Sequence, residues 1–89
     1  MDKKNIYICA TMDTKGEEAV YLKEQIEACG NHAFLIDVSL RRSSRNYPIS
    51  YTQTQVADAA RVPIATVLGT NLRSEASKYM VTGLNVILQ

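Results

Sequence analysis

The stretch Ala10–Glu18, A-T-M-D-T-K-G-E-E, concentrates the residue types that can do chemistry. Backbone N–H groups at a helix start form an anion site. Thr11 and Thr14 add hydroxyls there, Lys15 adds a compact positive charge, and Gly16 lets a ligand approach the backbone. Asp13 repels a phosphate directly, but it suits a ribose, a base edge or Mg²⁺. Asp37 stands 21 positions after Gly16, near the place where dinucleotide folds keep a ribose-binding acid. That spacing also follows from any one helix plus one strand, so a carboxylate capping the following loop is the plainer reading of Asp37. Arg41, Arg42 and Arg45 follow in a loop and could reach a phosphate, or simply be solvated. For the turn itself, a strand-to-helix connection with a good cap stands beside the ligand reading.

Other chemistries find less support. The glycine fingerprint G-x-G-x-x-G and the P-loop G-x-x-x-x-G-K-[ST] are both absent. Cys29 and His32 are half a zinc pair with no completing ligands in the sequence around them. No Ser–His or Cys–His pair is in prospect, because His32 falls at the opposite end of its strand from the turn. The five tyrosines are scattered and form no stacking platform. Nothing marks a nucleophile or base, so hydrolysis is not assigned.

The elements that must position the turn are legible in outline. Residues 5–11 hold the run Ile6-Tyr7-Ile8-Cys9, which predicts a strand covered on both faces of a parallel sheet. Thr14 and Glu17 match a capping box. Ala19, Leu22, Ile26 and Cys29 then make an apolar stripe, and Gly30 suits the left-handed position after a helix. Residues 32–39 predict a second strand, giving a βαβ unit with a right-handed crossover. The loop 41–51 carries arginines, serines and Pro48. Thr52–Arg61 predicts a short helix capped by Ser50 or Thr52. Residues 62–70 fit either a third strand or a helical turn opening at Pro63. Leu72–Leu88 predicts a helix that Asn71 could cap and that Gly83 weakens.

The totals fit one small domain. The chain has 89 residues, 46% hydrophobic and 21% charged, with a net charge of +1. Near-neutral charge argues against a nucleic-acid partner, and no apolar run reaches the length of a membrane span. No signal peptide is evident, and two cysteines outside any framework fit reduced thiols in a cytoplasmic protein.

A-T-M-D-T-K-G-E-E, followed by L-I-D-V-S at 35–39, closely resembles the start of the Tm-one-like family, which includes the tomato mosaic virus resistance protein. Thr11, Asp13, Thr14, Lys15, Gly16, Glu17 and Glu18 match its first motif, and Asp37 and Val38 its second. V-A-D-A-A at 56–60 and Ser74–Leu88 are similar to its next helices. The resemblance implies that residues 1–89 are the N-terminal part of a Rossmann-like nucleotide-binding domain in a longer, two-domain protein. Its ligand would be ATP, with Mg²⁺ as a companion. Its Gly-rich turn lies beyond the matched helices.

The expectation is therefore an α/β fold: a short parallel sheet of two or three strands with flanking helices. Thr11, Met12, Asp13, Thr14, Lys15 and Gly16 would line one wall of a nucleotide pocket, and Asp37, Val38 and Ser39 the other. Lys15 and the helix N-terminus would meet phosphate, and Asp37 or Asp13 the ribose. The expected partners are the nucleotide and either a second copy of the chain or a missing C-terminal part. Two alternatives stand beside this: an interaction or oligomerisation module without a ligand, and part of an enzyme whose chemistry lies in a C-terminal domain.

Overall fold

The computed structural model describes residues 3–41 and 47–89. It is an α/β arrangement: a two-stranded parallel sheet with flanking helices, compatible with a partial Rossmann-like fold. Strand β1 (Asn5–Ala10) leads into helix α1 (Met12–Ala28), and strand β2 (His32–Asp37) follows. Then come α2 (Gln53–Ala59), α3 (Ile64–Gly69) and α4 (Arg73–Ile87). The ambiguous stretch after Val62 is thus helical, opening after Pro63, which sits extended at φ −61°.

The register pairs Ile8 with Leu35 and Ala10 with Asp37. Alternation along the strands then divides the side chains between two faces. On the first face Ile8, Ala33 and Leu35 pack with Met12 and Ala19 of α1. On the second, Ile36 packs with Val56 and Ala57 of α2, Val67 of α3, and Ala76 and Met80 of α4. Two small cores therefore lie on opposite sides of β2, with α1 on one and α2–α4 on the other.

Local chemistry sets the element ends. Helix α1 closes in a Schellman motif: Gly30 N–H donates to the Glu27 carbonyl at 2.9 Å and Asn31 N–H to the Ile26 carbonyl at 3.3 Å. Gly30 holds φ +89° there, a left-handed conformation that favours glycine. Thr52 caps α2 in a full capping box with Gln55. The buried stripe of α1 is Met12, Gly16 and Ala19, with Ile26 partly buried behind it. Leu22, expected on the stripe, is 48% exposed. The inward face runs instead through Met12, Gly16, Ala19 and Ile26, and Leu22 falls to one side of it.

Strand β1 is not covered on both faces as its apolar run suggests. Its Tyr7 is 43% exposed and stacks on Phe34 across the ladder, with ring centroids 5.2 Å apart. Cys9 is exposed too. The helices on the second face gather over Ile36 and leave β1 open.

Gly83 packs α4 directly on α2. A Cβ there would overlap the Val56 carbonyl. An alanine would favour the isolated helix by about 1 kcal/mol, but overpacking against rigid backbone costs about 1–3 kcal/mol or more, so the overlap wins. Gly83→Ala is expected to lower stability by about 2 kcal/mol in chemical denaturation. An unchanged or raised midpoint would refute this packing.

Candidate functional site

The turn after β1 is built from both strand ends. Asp37 closes β2 and is 4% exposed. Its Oδ1 accepts from the Met12 N–H at 3.4 Å and the Ser39 N–H at 2.9 Å, and from the Ser39 hydroxyl. Ser39 Oγ in turn accepts from the Asp13 N–H at 3.1 Å. The next two amides, of Thr14 and Lys15, donate to the Thr11 carbonyl at 3.0 and 2.8 Å. The first four amide donors of α1 therefore all have protein acceptors. A buried carboxylate stands where a phosphate would otherwise sit, and it fits the positive end of the helix dipole. Asp37 thus acts as the strand-end carboxylate that caps the turn.

Thr14 is not the N-cap; Thr11 holds that position. The two threonine hydroxyls lie 3.1 Å apart, and the Thr14 hydroxyl also donates to the Thr11 carbonyl at 3.4 Å. Lys15 leaves helical geometry, at φ −120° and ψ 18°, so the first turn of α1 is set off by a kink from the helix beyond it. Gly16 is buried beneath the Tyr47 ring, which fills the space a Cβ would need.

A cleft of about 350 Å³ opens beside this turn. Thr11, Asp13 and Thr14 form one wall, Leu40 and Arg41 continue from the end of β2, and Val67, Leu68, Thr70, Asn71, Arg73 and Ala76 close it from α3 and α4. The Asp13 Oδ1 is shut off from solvent and has no hydrogen-bond partner among the described residues. A buried acceptor left unmatched is costly, and a strained, catalytic or water- or ion-binding position is the usual explanation for one. A second cleft on the other side of the turn carries Asp13, Glu17 and Glu18 beside Tyr47, an acidic lining that disfavours anions. Among the described residues, no group of three or more His, Cys, Asp and Glu is placed to hold a metal ion.

Of the residues singled out in the sequence, Thr11, Asp13 and Thr14 line the first cleft together. Met12 is 1% exposed in the core beneath the turn. Lys15 is exposed and lines neither cleft. Gly16 lines only the acidic one. Asp37 and Ser39 brace the turn from within, and Val38 packs against the second core. Arg42 and Arg45 lie outside the described residues. Sequence reasoning missed Thr70, Asn71 and Arg73 as cleft residues. Their signal was the polar break between two helical patterns, and it carries no meaning until the chain folds back beside β1.

These features define a class: an α/β domain, compatible with a partial Rossmann-like fold, whose candidate site sits at the carboxyl end of its first strand. Residues 4–89 match the family model described as "Uncharacterised protein family (UPF0261) N-terminal domain", and the chain belongs to that family. It is 54% identical over 39 residues to a UPF0261 protein of Rhizobium meliloti, covering 44% of this chain and 10% of that protein. It is 26% identical over 84 residues to UPF0261 proteins of Brucella suis and Brucella melitensis, covering 94% of this chain and 20% of each. The chain thus spans about a fifth or less of the length of these relatives. No solved structure matches it.

This corrects the resemblance to the Tm-one-like family. The family model and these relatives are all UPF0261, and the ATP-binding label that came with the resemblance falls with it. The physical reason lies in what the shared motif does here. Thr11, Gly16 and Asp37 serve the strand-to-helix turn itself, so the motif reports a fold more directly than a ligand.

Removing the Asp37 carboxylate leaves the Met12 and Ser39 amides without their acceptor, at about 1–3 kcal/mol for each buried donor. Asp37→Ala is expected to cost at least about 2 kcal/mol in denaturant titration. Stability equal to that of the parent would show that Asp37 does not brace the turn.

Proposed function

We propose that the cleft at the turn is one wall of a binding site for a small phosphorylated ligand of the nucleotide class, in a protein of which this chain is the N-terminal part. The observation that carries the reading is the enclosed Asp13 Oδ1, which has no hydrogen-bond partner among the described residues, on a residue that lines one cleft with Arg41 and Arg73. A carboxylate oxygen without a donor suits a ribose hydroxyl. Two guanidinium groups suit phosphate oxygens, which they can hold in bidentate pairs. The amides of α1 have protein acceptors, so the arginines carry the anion in place of the helix terminus. Two free thiols, Cys9 and Cys29, support a reducing, cytoplasmic setting.

A second reading, an interaction module, is favoured by the exposed apolar residues Val81 and Val86 on α4 and Leu88 just after it, with Tyr7 on β1. Calorimetric titration of the full-length protein with ATP and Mg²⁺, used as a nucleotide probe, separates the two. Saturable heat that weakens about tenfold or more in Arg73→Ala supports the cleft, on the scale of one charge-assisted hydrogen bond. Lys15→Ala is expected to change affinity less than about twofold, because that side chain lies outside the cleft. No heat, in a protein shown to be folded, would favour the interaction module.

A further inference from the structure

The two edges of the sheet are not equivalent. The outer edge of β2 is occupied by the segment before α2: the Asp37 N–H donates to the Tyr51 carbonyl at 2.9 Å, and the Ser50 and Tyr51 amides donate to the Leu35 carbonyl at 2.9 and 3.1 Å. Among the described residues, nothing pairs with the outer edge of β1. The ladder begins with His32 N–H on the Lys4 carbonyl and ends with Val38 N–H on the Ala10 carbonyl. Alternation between these ends turns the amides and carbonyls of Ile6 and Ile8 toward β2. It leaves those of Asn5, Tyr7 and Cys9 facing outward, unpaired within the sheet. Their side chains lie on the face where Tyr7 and Cys9 are exposed.

Topology says which way the chain must turn to use that edge. The crossover from β1 to β2 carries α1 on the first face. A right-handed return from β2 past β1 must cross the second face, and α2, α3 and α4 lie there. A strand added outside β2 after these helices would need a left-handed crossover, on an edge already occupied. Relatives of this family have about five times the matched length, since 84 residues make up 20% of each Brucella protein.

We propose that, in the full-length protein, a strand from the sequence following α4 pairs parallel with the open edge of β1, giving the order β2, β1, new strand. The reversal of winding then falls between β1 and the new strand. Ligands of open α/β sheets bind at that crevice, so the new strand's carboxyl end would supply a further wall beside Thr11 and Asp13. The pairing itself does not depend on the ligand class.

The test is amide hydrogen exchange on the ligand-free full-length protein, resolved to single residues, at several concentrations. The amides of Tyr7 and Cys9 are expected to exchange at least about a hundredfold more slowly than an unstructured reference, approaching Ile6 and Ile8, in a monomer as well as at high concentration. Fast exchange at Tyr7 and Cys9 with Ile6 and Ile8 protected would overturn the proposal. Protection that vanishes on dilution as a dimer dissociates would overturn it in favour of a second copy on the same edge. Because no ligand is added, a protected edge without any nucleotide binding would leave the pairing standing and remove only the cleft reading.

Discussion

One buried carboxylate organises the carboxyl end of the two strands. Asp37 closes β2, and its Oδ1 gathers the start of α1 and the Ser39 that follows the strand. Without it, the Met12 and Ser39 amides would lose their buried acceptor, at a cost comparable to a large part of a small domain's net stability. With it, the turn after β1 is held from both strands. Asp13 is held by the same brace: its amide is tied to Ser39, and its enclosed Oδ1 has no hydrogen-bond partner among the described residues.

That arrangement changes which group can meet an anion. Helix N-termini are ready-made phosphate sites, but here the protein supplies its own anion. Positive charge in the cleft comes from Arg41 and Arg73, which arrive from the end of β2 and the start of α4. The cleft exists because α3 and α4 fold over the carboxyl side of the sheet. The close approach of α4 to α2 at Gly83 is one of the contacts that sets their position.

Much of the frame was legible in the residues. The two strands, the long first helix, the left-handed Gly30 and the Thr52 cap all follow from local chemistry that burial reinforces. Other features needed three dimensions. Val62–Thr70 is too short for periodicity to choose between strand and helix, and packing of Val67 in the second core goes with the helix. The start of α1 at Met12 follows from Asp37, 25 residues away in the chain. At the site, Thr11, Asp13 and Thr14 could be read from the turn. Thr70, Asn71 and Arg73 could not, because only the path of the chain after β2 brings them near. The Tm-one-like resemblance rested on residues that build this turn, which is why it pointed to the fold and gave the wrong family.

We propose that the cleft between the β1 turn and the start of α4 holds a nucleotide-class ligand. Backbone chemical shifts of the full-length protein, followed during titration with ATP and Mg²⁺, test it residue by residue. The account predicts saturable shifts concentrated at Thr11, Asp13, Thr14, Thr70, Asn71 and Arg73, with little change along α1 beyond Lys15. Shifts confined to other surfaces, or none at saturating ligand, would contradict it.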